Sequence, residues 1–149
     1  KITDELLHDK PDLIFTNANV SSGDTIPLGY LNQWEKLKNI NIFAIRDNPW
    51  MKEEIPLCLD ENSDTNDCSV PRDEVLSKVE PWENTSDIPD NVIFADLSDY
   101  YCDEETCHPI IGNVVVYRDK HHMTTLYSKT LADPLEEEIV KALSSINSK

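Results

Sequence analysis

Apolar positions along this chain alternate between short continuous runs and helical spacing. Leu13-Ile14-Phe15-Thr16 is nearly continuous, as expected of a buried parallel strand, and Ile40 to Ile45 and Val92 to Leu97 read the same way. Between these runs lie segments with one apolar face. A short helix is expected from about Thr3 to Lys10, capped by Thr3, with Leu6 and Leu7 inward, before Pro11-Asp12 ends it. Pro27 suits the first turn of a helix running to about Asn39. Its face of Tyr30, Leu31, Trp34 and Leu37 reads as core packing. Strands alternating with helices predict an α/β fold, a mostly parallel sheet with helices on both faces.

The second half is less regular. Pro56 is placed to open one helical turn before Cys58, and Pro71 to Val79 reads as a short amphipathic helix. Glu80 to Asn91, rich in proline and poor in apolar residues, reads as a connection. Ile110 to Tyr117 predicts a small hairpin turning at Gly112-Asn113. Thr124 or Thr125 can cap a helix holding Leu126, Tyr127 and Leu131. Pro134 then starts a last helix with Leu135, Ile139, Leu143 and Ile146 on one face. In a doubly wound sheet active sites lie at the carboxyl ends of strands. Asn17 to Asp24 and Arg46-Asp47-Asn48-Pro49-Trp50 fall there. Arg46 and Asp47 can order such a rim or form an ordinary structural ion pair, and Asn48, before proline, is expected to be extended.

At 149 residues the chain suits a single domain with one core. Acidic residues outnumber basic ones 29 to 13, a formal net charge of -16, which argues against nucleic acid and against an anionic membrane surface as partners. No apolar run approaches the length of a membrane span and no signal peptide opens the chain, and a start at Lys1 without an initiator methionine makes an excised or mature segment the expectation. The four cysteines allow three connectivities, of which local pairing, Cys58 with Cys68 and Cys102 with Cys107, is the simplest. Two such bridges imply an oxidising compartment. Cys102-x4-Cys107-His108 also falls within loose zinc spacing, but the other pair matches no zinc ribbon, and no metal or other cofactor is expected. Asp60-x-Asn62-x-Asp64-x-Asn66 resembles half of a calcium loop, yet Thr65 and Pro71 stand where glycine and glutamate are needed. Asn84-Thr85-Ser86 is a glycosylation sequon, meaningful only in a eukaryotic secreted protein.

The candidate chemistry lies in Tyr117-Arg118-Asp119-Lys120-His121-His122-Met123-Thr124, after Val114-Val115-Val116. Three residues beyond Asp119, the ring of His122 can turn back to the carboxylate, which fixes the tautomer and frees the other nitrogen as a general base. His121, two residues beyond, is expected to point away. Solvated surface histidines are the plainer reading of the same pattern.

Together with Cys102 to Thr124, the residues Tyr30, Trp34, Ile45 to Met51 and the four cysteines carry a resemblance. The chain from about Pro11 to Leu135 resembles SGNH-type serine esterases, and more narrowly the extracytoplasmic SGNH-like domain fused to bacterial membrane acyltransferases of the acyltransferase-3 family, actinobacterial branch. The resemblance implies a three-layer α/β sandwich of flavodoxin-like strand order, with residues 1–149 as one domain in the C-terminal portion of a larger membrane protein. It implies that Asp119 and His122 are the acid and base of a Ser-His-Asp triad. Asn19, in Asn17-Ala18-Asn19 after the first strand, takes the place of the oxyanion-hole asparagine. The expected activity is O-acyl, commonly acetyl, transfer to a cell-envelope glycan or glycolipid at the cell surface, with the membrane acyltransferase domain of the same parent in the plasma membrane as partner. One departure stands out. The family's Gly-Asp-Ser nucleophile block does not occur, and the nearest string, Ser21-Ser22-Gly23-Asp24, reverses the order. The chain is therefore expected to begin after that block, leaving the fold incomplete at its N-terminus. A catalytically inactive SGNH-scaffold binding module is the alternative.

Overall fold

The computed structural model describes residues 1–21 and 23–147. In chain order it contains α1 (Ile2–Asp9), β1 (Leu13–Asn17), α2 (Leu28–Lys36), β2 (Asn41–Ile45), α3 (Ile55–Glu61), β3 (Val70–Pro71), α4 (Arg72–Val75) and β4 (Val92–Ala95). There follow β5 (Thr106–Cys107), β6 (Ile110–Ile111), β7 (Val114–Val115), α5 (Thr125–Thr130) and α6 (Ala132–Asn147), with single 3-10 turns at Thr65–Cys68 and Ser98–Tyr100.

The largest sheet among the described residues is β1-β2-β4, all parallel, with Phe15 opposite Phe43 and Phe43 opposite Ile93. Because successive side chains in a strand point to opposite faces, Ile42 and Ala44 turn to one side and meet Trp34 of α2 and Leu37 just after it. Phe43 and Ala95 turn to the other and meet Ala142, with Leu135 and Ile139, of α6. Helix, sheet and helix are the three layers. The strands lie in chain order, the run of sequential neighbours found on one side of a flavodoxin-like order.

Local differences from the sequence reading have physical causes. The first strand is at the sheet's edge, paired only with β2 among the described residues, so Phe15 stacks on Phe43 at 5.7 Å yet remains 52% exposed. Thr3 does not cap α1; its hydroxyl donates to the Gln33 side chain at 2.9 Å, and Leu7 faces solvent while Leu6 packs. The helix expected from Pro71 to Val79 is one turn: Val70–Pro71 pairs with Thr106–Cys107 as a strand, and the chain is extended again at Leu76. On α6 the buried stripe is Leu135, Ile139 and Ala142, with Leu143 outside it.

A second and larger core lies under the irregular half. Met51, Ile55, Leu97, Tyr101, Val116 and Tyr117 pack there together with both disulfides, Cys58–Cys68 and Cys102–Cys107. The β6–β7 hairpin turns at Gly112 (φ 57) and Asn113 (φ 64), two positive angles that suit a glycine and an asparagine in a tight hairpin turn. This core anchors the strand leading into the Asp119 turn, and Thr124 closes it by capping α5, accepting from the Tyr127 N–H at 3.1 Å.

Candidate active site

After Val116 the chain makes a tight loop. Tyr117 bridges Met123, the Arg118 N–H donates to the His122 carbonyl at 2.9 Å, and the Thr124 N–H donates to the Val116 carbonyl at 2.8 Å. Inside it the Asp119 carboxylate does two jobs. Its Oδ1 accepts the backbone N–H groups of His121 (2.8 Å) and His122 (2.7 Å), and its Oδ2 lies 2.7 Å from His122 Nδ1. The backbone N–H of His122, then that of His121, and the His122 ring hold the Asp119 carboxyl well below the usual carboxylate range. An ionised carboxylate only accepts, so Nδ1 carries the proton and Nε2 of the half-exposed His122 ring is the basic nitrogen left for chemistry.

The loop after β2 clamps this turn. Asn48 donates its side-chain amide to the His121 carbonyl at 2.8 Å, and the Met51 N–H donates to the Lys120 carbonyl at 2.7 Å. His121 does not point away. Its ring stacks on Trp50 at 4.2 Å, lies 4.0 Å from the His122 ring, and brings Nδ1 to 3.8 Å from Asp119 Oδ1. The aromatic face of Trp50 outcompetes solvent for an imidazole that spacing alone would leave outside.

Trp50 is itself held by Asp47, the residue that ties the rim together. Asp47 Oδ2 accepts from the Ser21 N–H (2.8 Å) and from Trp50 Nε1 (3.1 Å); Oδ1 accepts from the Asn48 N–H (3.1 Å) and from Asn17 (3.4 Å). The Asp47 N–H donates to Asn19 Oδ1 at 2.9 Å. Asn19 is 1% exposed, and both hydrogens of its amide are engaged, by the carbonyls of Ser21 (3.0 Å) and Gly23 (3.1 Å). It therefore shapes the loop after β1 and has no free N–H for an oxyanion in this conformation. The structure connects Asn19 to the histidines through Asp47 and Trp50, and not by direct contact. Ser22, in the string nearest to a nucleophile block, lies outside the described residues.

Arg46 turns away from Asp47. Its guanidinium donates to Asp96 Oδ2 at 2.8 Å and to the Ser77 carbonyl at 2.5 Å, beside a cavity of about 610 Å³ that Arg72 and Asp99 also line. Burial would raise the Asp96 carboxyl, but hydrogen bonds from Ser98 and Arg46 outweigh it and lower it. This is a structural ion pair beside the site. His122 is half-exposed and Asp119 partly buried.

A second carboxylate–imidazole pair closes the cysteine loop, with His108 Nε2 2.7 Å from Asp103 Oδ2. It went unread in the sequence, where His108 figured only as a metal ligand. A shared signal exists: in both loops an aspartate precedes its histidine by a few residues in a turn.

The structure thus sets a parallel α/β sheet beside an aspartate–histidine pair packed against the loop after β2. The SGNH domain family, described as "SGNH domain (fused to AT3 domains)", matches residues 4–137, and the chain belongs to it. That description associates the chain with acyltransferases of the acyltransferase-3 type. No curated protein and no solved structure matches the chain.

Proposed function

We propose that this domain carries the acid and base of an O-acyltransferase that moves an acyl group, acetyl above all, onto a hydroxyl of a cell-envelope glycan or glycolipid. The observation that carries the reading is the 2.7 Å contact between Asp119 and His122 Nδ1, made by a carboxylate already fixed by two backbone N–H groups. A serine hydroxyl attacks the acyl carbonyl while His122 Nε2 takes its proton, and His122 passes that proton to the donor's leaving group as it departs, which frees Nε2 again. The acceptor hydroxyl then attacks the acyl-serine, its proton passing to His122 and returning to the serine oxygen. Asp119 stabilises the imidazolium in both halves. In this scheme the serine is supplied by another segment of the parent chain, and no Gly-Asp-Ser string occurs in residues 1–149. Backbone N–H groups of the loop after β1, whose shape Asn19 sets, are the oxyanion donors in this scheme.

The setting is the outer face of the plasma membrane, beside a membrane acyltransferase domain of the same parent. Two disulfides are consistent with an extracytoplasmic place, and no helix among the described residues is long and apolar enough to cross a membrane. The alternative is a binding module that keeps the scaffold without chemistry, a reading that the retained Asp119–His122 pair argues against. A serine-directed phosphonate probe on the intact parent separates the two. Labelling that His122→Ala and Asp119→Asn suppress supports acyl transfer; a parent that never labels supports the binding module.

A further inference from the structure

We infer that Asp119, His121 and His122 form a binding site for a divalent transition metal of the zinc class. One ligand atom from each of the three side chains can be chosen so that all lie within 4.8 Å of one another. His121 Nδ1 stands 3.8 Å from Asp119 Oδ1, and His122 Nδ1 stands 2.7 Å from Oδ2. A zinc ion at about 2.0–2.2 Å from each donor separates tetrahedral ligands by roughly 3.4 Å, so closing on an ion requires shifts of about an ångström. Two imidazoles and a carboxylate suit zinc-class ions and leave a fourth position for water. Hard cations such as magnesium prefer all-oxygen sites and are poorly served here.

The ligands are also held before any ion arrives, which lowers the ordering cost of binding. Trp50 fixes the His121 ring by stacking, Asn48 fixes its carbonyl, and the backbone N–H groups of residues 121 and 122 fix the carboxylate. The Arg118 side chain reaches only 4.0 Å from Asp119 Oδ2 and is 66% exposed, so it can swing clear. A metal bound here takes His122 Nδ1 from Asp119, its proton going to solvent. The consequence for chemistry rests on the acyl-transfer reading: an occupied site has lost the hydrogen bond that orients the base, so the ion acts as an inhibitor of the domain.

The test is Zn²⁺ titration of the 149-residue chain by calorimetry, with tryptophan emission recorded in parallel and Trp50→Phe used to assign any change to Trp50. We expect saturable binding of one ion per chain. His121→Gln, His121→Ala and His122→Ala each weaken it by at least about tenfold with unchanged near-ultraviolet circular dichroism. His8→Ala and His108→Ala leave it unchanged. Trp50→Phe abolishes the emission change yet keeps the calorimetric signal. Absence of saturable binding, or binding that His108→Ala removes and both His121 variants retain, overturns the site. Serine labelling of the intact parent without zinc is a separate readout, so either reading can fail while the other stands.

Discussion

Asp103 and Asp119 are wired in nearly the same way. Each Oδ1 accepts two backbone N–H groups, from Glu105 and Thr106 in one case and from His121 and His122 in the other. Each Oδ2 lies 2.7 Å from a histidine ring. The pairs differ in which ring nitrogen is taken and in what surrounds them. His108 is held through Nε2, across the Cys102–Cys107 bridge, so its outer nitrogen is already used and the pair fastens a loop. His122 is held through Nδ1, keeps Nε2 outward, and sits against the loop that follows β2. A carboxylate–imidazole pair is therefore no signature of catalysis by itself. On the proposed acyl-transfer reading, orientation and address separate the fastener from the base.

The sharpest way to break that comparison is to cut both pairs in the intact parent. His122→Ala should lower acyl transfer by about three to four orders of magnitude, and Asp119→Asn should lower it sharply with the fold in place. Asp103→Asn and His108→Ala should leave the rate within a few-fold. Equal losses from both pairs, read by product formation and circular dichroism, would show that the two are structural alike.

Next in size is the contribution of the loops themselves. Replacing Cys102 and Cys107 together by serine removes the bridge under the Asp103 pair and should cost about 2 kcal/mol in chemical denaturation. Acyl transfer should persist wherever the protein remains folded. If activity vanishes in samples whose near-ultraviolet spectrum is native, the cysteine loop has a part in chemistry that the comparison denies it.

Asp47 tests the other side. Its carboxylate gathers N–H groups from Ser21, Asn48, Trp50 and Asn17, so Asp47→Ala leaves several donors without a partner. We expect a loss of about 1–3 kcal/mol. The ring resonances of His121 and His122 should also broaden or move while those of His108 stay put. Trp50→Phe should move the same two histidines less, since a ring remains to stack on His121. An Asp47 variant that moves His108 as much as His122 would make Asp47 a general scaffold residue.

Much of this architecture was legible because it is local. The β1, β2 and β4 runs, the Gly112-Asn113 turn and the Thr124 cap each depend on residues a few positions apart, as does the approach of His122 to Asp119. What escaped depends on partners far along the chain. The start of the one-turn α4 is set by the pairing of β3 just before it with β5, more than thirty residues on. His121 turns inward because Trp50 is there, and Asn19 is spent on its own loop because Asp47 fixes the register. Periodicity registers which face is apolar but not which distant ring or carboxylate will meet it.

The smallest effect concerns acid. His108, then the N–H groups of Glu105 and Thr106, lower the Asp103 carboxyl to about 2, against roughly 3.9 for an unfolded aspartate. A depressed folded value means the stabilisation is fully present above the unfolded value and is lost as pH falls from about 4 through about 2. The Asp119 carboxyl is depressed in the same direction, with backbone N–H groups as its main cause instead of the histidine. The two pairs should therefore respond differently to loss of their imidazoles. His108→Ala removes the largest influence on Asp103 and should flatten the acid limb of the melting temperature between pH 5 and 2. His122→Ala leaves the principal backbone donors of Asp119 in place and should change that limb less. Melting curves of both variants and the parent sequence, taken across that range, check the ordering. A steeper change for His122→Ala would mean that the imidazole, not the turn, holds Asp119, and the fastener and the base would then differ in address alone.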